Sequence, residues 1–187
     1  MLYAIAGSQG TGKSTILSEL KKLGYNVIER KTARSILEEW QMTLSDIYAD
    51  TYIMQKFQEE LVIRKRKDEK IASSTSNIWF TERTYADLLV YTGIILGPKN
   101  ENAAWLDEYY NQCQYNQQFY DGIFYIDYQL PNIEHDGVRN TGSVFGKIVN
   151  YSMKGYTEFM TDSNKIIFLT EPDVKDRIST ILKNIEN

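Results

Sequence analysis

Gly7-Ser8-Gln9-Gly10-Thr11-Gly12-Lys13-Ser14-Thr15 follows the spacing G-x-x-x-x-G-K-[ST], with Gly7, Gly12, Lys13 and Ser14 at the fixed positions. Glycines suit such a loop because consecutive backbone N–H groups must turn inward around an anion, in conformations a Cβ would obstruct. The apolar run Leu2 to Ala6 before it reads as a buried strand, and Ile16, Leu17, Leu20 and Leu23 after it recur at helical spacing. Strand, loop and helix N-terminus in succession make a phosphate-binding loop. Gly7, Gly10, Thr11, Gly12, Lys13, Ser14 and Thr15 are the expected ATP contacts, with Lys13 on the β- and γ-phosphates and the Ser14 hydroxyl on Mg²⁺.

The rest of the chain alternates strands and helices. Tyr25 to Glu29, Ile78 to Glu82, Gly122 to Asp127 and Lys165 to Thr170 read as strands. Helical patterns fall over Ala33–Trp40, Thr51–Lys70, Thr84–Leu96, Asn102–Tyr120 and the closing stretch carrying Val174, Ile178, Ile181, Leu182 and Ile185. Such alternation predicts an α/β class, a three-layer P-loop NTPase fold with a five-stranded parallel sheet ordered 2-3-1-4-5 and a lid loop. At 187 residues, 42% apolar and 25% charged, the chain suits a single domain over 1–187.

Ligands of open parallel sheets bind beyond the carboxyl ends of the strands. Three charged groups fall there. Glu29 closes the second strand, with Arg30 and Arg34 just after it as candidate substrate clamps. Glu82 closes the third strand as the candidate acidic partner of Mg²⁺, a hard cation that prefers oxygen ligands. Arg83 follows at once, its planar fork suited to phosphoryl oxygens. Asp127, closing the fourth strand, is read either as an outer carboxylate of the metal or as a turn cap.

Between Pro131 and Asn150 periodicity is lost, and a lid is expected there, with Arg139 reaching the developing charge and Lys147 assisting. His135 has no second histidine or cysteine pair beside it and reads as a solvated loop residue. The run Arg64-Lys65-Arg66-Lys67-Asp68-Glu69-Lys70 reads as the solvated end of a helix, with a nucleic-acid patch as the alternative. A net charge of −4 supplies no global field for nucleic acid and favours small phosphorylated ligands. One cysteine, no leader pattern and no apolar run of spanning length predict a soluble protein of a reducing compartment, the cytoplasm, with no membrane contact.

Taken together, Gly7 to Thr15, Glu29, Glu82-Arg83 and Asp136 to Asn140 resemble the compact P-loop kinases of nucleosides and nucleotides. The resemblance extends to small ATP-binding kinase-like proteins of bacteriophages and the nicotinamide riboside kinase group, and more distantly to thymidylate and deoxynucleoside kinases. It implies that Glu29 is a base toward a sugar hydroxyl, that Glu82-Arg83 serves metal and phosphate, and that Asp136 to Arg139 belongs to a lid. The third-strand pair is Asp-Arg in thymidylate kinases, and Glu82 departs from that. The implied activity is Mg²⁺-dependent transfer of the γ-phosphoryl of ATP, with Lys13, Glu29, Glu82, Arg83 and Arg139 as catalytic residues. Crowding of Arg30, Arg34 and Arg83 favours a nucleoside monophosphate acceptor. A nucleoside hydroxyl, a hydroxyl of DNA and an acceptor-free ATPase switch stay open, as do the choice between Glu29 and Glu82 as the base and the oligomeric state, a homodimer included.

Overall fold

The computed structural model describes residues 1–29, 32–97, 100–127 and 143–185. Its centre is β1 (Leu2–Ala6), whose five residues are all buried because both faces of a parallel sheet are covered. Around it lie β2 (Asn26–Val27), β3 (Trp79–Glu82), β4 (Gly122–Ile126) and β5 (Ile166–Leu169), all parallel in the expected order β2-β3-β1-β4-β5. The helices are α1 (Lys13–Lys22), α2 (Thr32–Trp40), α3 (Leu44–Ala49), α4 (Thr51–Ser73), α5 (Tyr85–Leu96), α6 (Ala103–Gln117), α7 (Ser143–Met160) and α8 (Val174–Ile185).

The two-residue period of β1 sorts the core into layers. Leu2, Ala4 and Ala6 face a cluster built from α4 to α7, including Val62, Tyr85, Tyr109 and Met153. Tyr3 and Ile5 face the opposite layer, where Ile16 and Leu20 of α1 meet Ile181 and Ile185 of α8. Tyr3 lies between Phe80 and Phe124, each with ring centroids 5.8 Å away. Gly122 makes room for this ring, since a Cβ there would come 3.0 Å from it. A third cluster off the sheet joins Ile36 of α2, Ile47 of α3, Met54, Phe57 and Leu61 of α4, and Leu96 of α5.

Three segments differ from expectation. Residues 143–150, anticipated within a loop, form the start of α7, whose Val149, Met153, Thr157 and Met160 are buried at helical spacing. α3 was not foreseen, although Thr43 and Asp46 form the capping box that opens it. The charged end of α4 is also not wholly solvated. Lys65 and Glu69 are buried and form an ion pair of 2.7 Å, while Arg64 forks onto Glu39 of α2 at 2.6 and 2.7 Å. Among the described residues no helix is long and apolar enough to cross a membrane.

Candidate active site

The loop between β1 and α1 has the backbone that its glycines allow. Gly7, Gly10 and Gly12 take φ of 129°, 77° and 90°, and a Cβ on Gly7 would lie 2.9 Å from the Ile126 carbonyl oxygen. Gly12 caps α1 without any side-chain hydrogen bond, so the amides of the first turn are left for a ligand. Lys13, only 4% exposed, arches over the loop and donates to the carbonyls of Gly7 at 2.9 Å and Ser8 at 2.6 Å. The Thr11 hydroxyl donates to the Ser8 carbonyl at 2.9 Å. Ser14 and Thr15 stand exposed on the first turn, and the buried Ser8 Oγ has no hydrogen-bond partner.

Behind the loop lies a residue that sequence reasoning missed. Arg177 of α8 is fully buried and donates through Nη1 to the Thr11 carbonyl at 2.7 Å and through Nε to the Glu171 carbonyl at 2.6 Å. A signal was present, because position 177 falls three residues after Val174 and four before Ile181, on the apolar face of the helix.

The end of β3 meets the mouth of the loop. Glu82 is in register with Ile5, and the Arg83 N–H donates to the Ile5 carbonyl at 3.0 Å. Arg83 takes φ 67°, a left-handed conformation that costs a non-glycine residue about 1 kcal/mol or more. Its guanidinium lies over the Tyr91 ring, 5.1 Å from the centroid, and its Nη1 is buried without a hydrogen-bond partner. The Glu82 carboxylate accepts no hydrogen bond among the described residues, whereas its carbonyl accepts from Lys65 Nζ at 3.2 Å. Lys65 also donates to Thr81 Oγ1 at 3.0 Å. Glu69 accepts from the hydroxyls of Tyr85 at 2.7 Å and Tyr120 at 3.0 Å. Burial, then the charge of Glu69, pushes both phenols far above their ordinary range, so they remain donors.

A second carboxylate missed in the sequence lies one turn further on. Asp87, at the third position of α5, is 0% exposed, and its Oδ2 accepts the Thr84 N–H at 3.2 Å. Burial raises its pKa, against the opposing charges of Arg83, Lys13 and Lys65. In sequence it passes for an ordinary capping-box residue, Thr84-x-x-Asp87.

Other candidates fall elsewhere. Glu29, just past β2, pairs with Lys21 at 2.6 Å, and both side chains are more than half exposed. Lys21 is in the last turn of α1, eight residues and about 12 Å along the helix from Lys13. The pair is solvent-exposed, and Glu29 itself follows β2 at the carboxyl end of the parallel sheet, the end that carries the phosphate loop. Arg34 is exposed on α2. Asp127 pairs with Lys154 of α7 at 2.6 Å. Arg30, Arg139 and the rest of the expected lid up to residue 142 lie outside the described residues.

Glycine-lined loop, parallel sheet and strand order together define a kinase-like P-loop fold. The chain belongs to the AAA domain family, whose model matches residues 2–145. No curated protein matches the sequence. Among solved structures it is similar to the NadR protein in complex with NR, at 14% identity and a TM-score of 0.75, over 97% of this chain and 50% of that one. The chain thus spans about half the length of that NadR protein. It is similar along the full length of both chains to the deoxyadenosine kinase of M. mycoides with bound dATP, at 22% identity and a TM-score of 0.67. The thymidylate kinase of Candida albicans is 15% identical with a TM-score of 0.56, over 99% of this chain and 90% of that one. These likenesses establish the fold.

Proposed function

We propose that the protein is an ATP-dependent phosphotransferase acting on a small nucleoside or nucleotide acceptor. The observation that carries this reading is the set of unmet polar atoms around the loop. Ser8 Oγ and Arg83 Nη1 are buried without hydrogen-bond partners, beside helix amides that Gly12 leaves uncapped. Buried polar groups are rarely left unpaired, and an anion with several oxygens completes these. The amides of residues 8–14 would hold the donor, Lys13 would leave the loop carbonyls for the β- and γ-phosphates, and Arg83 would neutralise the transferring group. Arg139 from the lid, and Arg30 and Arg34 from the β2 side, would add to the clamp.

Ser14 and Glu82 fit a magnesium ion, because one offers an exposed hydroxyl and the other a carboxylate that accepts no hydrogen bond among the described residues. When bound, the ion would neutralise charge on the phosphate oxygens.

The basic run is divided in the structure: Arg64 and Lys65 are committed to Glu39, Glu60 and Glu69 within the chain, whereas Arg66, Lys67 and Lys70 stay exposed. Incubation with Mg²⁺ and γ-labelled ATP against nucleosides, nucleoside monophosphates, nicotinamide riboside and DNA tests the proposal. Label in a small molecule is the expected result. Label only in DNA, lost steeply with salt, would replace it with a polynucleotide kinase. Free phosphate whose release no acceptor changes would replace it with an ATPase.

A further inference from the structure

Among the described residues two helices open on capping boxes, at α3 and α5, and the two differ in one respect. At α3, Asp46 is exposed and takes both the N–H of Thr43 at 2.8 Å and its hydroxyl at 2.7 Å; these bonds hold the Asp46 carboxyl below its ordinary range. At α5, Asp87 is fully buried and its bond to the Thr84 N–H is 3.2 Å. Its second oxygen, Oδ1, is buried with no hydrogen-bond partner. No ion pair within 4 Å reaches it among the described residues, although the charges of Arg83 and Lys13 both act on it. Capping alone would be served by an exposed carboxylate, as at α3. Oδ1 is therefore an acceptor without a donor, and Arg83, whose charge acts on it, carries a donor without an acceptor, Nη1.

From this pairing we infer that the group phosphorylated is a neutral hydroxyl of a nucleoside, and that Asp87 Oδ1 is the atom that receives it. The inference rests on the phosphotransferase reading and narrows its acceptor. A hydroxyl brings the missing donor. A monophosphate would set a dianion against a buried carboxylate, a contact that repels. In the transfer, the acceptor oxygen forms a bond to the γ-phosphorus, and the bond from that phosphorus to the β,γ-bridging oxygen breaks. ADP leaves with the electron pair, and the hydroxyl proton passes to Asp87 Oδ1. Arg83 Nη1 faces the oxygens of the transferring group. Glu29, held by Lys21, is not needed for this step.

Two measurements test the inference. The first is the acceptor panel on the unaltered protein: label on a nucleoside is expected. Label on monophosphates alone overturns the hydroxyl assignment while the kinase reading stands, and label on no acceptor overturns both. The second compares Asp87→Asn with Thr84→Ala. Asparagine keeps a carbonyl for the Thr84 N–H but cannot take the proton, so kcat is expected to fall about 100-fold or more with the KM for ATP unchanged. Thr84→Ala breaks the same capping box and is expected to lower the melting temperature while keeping kcat. A D87N protein that retains kcat within about threefold overturns the role of Asp87, as does an equal loss of kcat in T84A.

Discussion

Arg177 and Thr11 are joined across 166 residues of sequence by a 2.7 Å hydrogen bond from the guanidinium to the loop carbonyl, in the fully buried layer beneath the phosphate loop. The bond ties the Thr11 carbonyl to the helix behind the loop and so fixes the peptide that precedes Gly12. Arg177→Met would strip two carbonyls of their donor without water to replace it. A loss of about 3 kcal/mol is expected from urea unfolding. The folded fraction should also show a raised KM for ATP, because the loop loses its support. Arg177→Lys, which keeps the charge but not the fork, should recover only part of either effect.

Lys13 donates to the Gly7 and Ser8 carbonyls of its own loop, and its removal should cost activity far more than stability. Lys13→Ala is expected to lower kcat about 100-fold or more while the melting temperature moves by only a few degrees. Near-full activity in this variant would sink the phosphate-loop mechanism. Gly7→Ala should behave differently, since its φ of 129° and the 2.9 Å approach to Ile126 leave no room for a methyl group, and both stability and activity should fall.

The ion pair of Lys65 and Glu69 supports the end of β3 from below. Lys65→Met leaves the buried Glu69 without its cation, with a loss of about 3–5 kcal/mol expected. Adding Glu69→Gln should return part of that loss, since a neutral amide oxygen still accepts from Tyr85 and Tyr120. A thermodynamic cycle over the two sites measures the coupling, and additive losses would show that the pair is not the support inferred here.

What could be read in the sequence was what depends on local spacing. Gly7, Gly10 and Gly12 announce a backbone that only glycine tolerates, and apolar runs ending in Glu82 or Asp127 announce strand ends. Lys65, Glu69 and Arg177 were hidden for a common reason. A charged residue in a helix is ordinarily solvated, and only the packing of Tyr85 and Tyr120 over Lys65, or of α8 behind the loop, buries these three. Asp87 was hidden by a respectable local role, that of a helix cap. Glu29 stands at the strand end where the sequence places it, and its exposed carboxylate pairs with Lys21. Within 143–160 the spacing of Val149, Met153 and Met160 was visible, yet Asn140, Thr141 and Ser143 are all capping types, and the sequence does not say which of them opens the helix.

Cys113 gives a prediction in pH. The thiol is fully buried on α6, and burial pushes its pKa up to about 12 against an ordinary value of 9.0. At pH 8 the folded protein should therefore resist a thiol-alkylating reagent, and labelling should appear only as urea unfolds the chain. Labelling of the native protein would mean that α6 opens locally. The same shift has a sign for stability. Between 9.0 and about 12 the folded state keeps a proton that the unfolded state has lost, so stability present below pH 9 falls as pH rises through that window. Tyr85, Tyr109 and Tyr120, also raised by burial, add their own losses as pH nears and passes 10. Both kinds of group contribute between pH 9 and 10, and the comparison with Cys113→Ala separates the thiol from the phenols. Cys113→Ala should flatten the decline of the melting temperature there, and an unchanged slope would remove the thiol from the account.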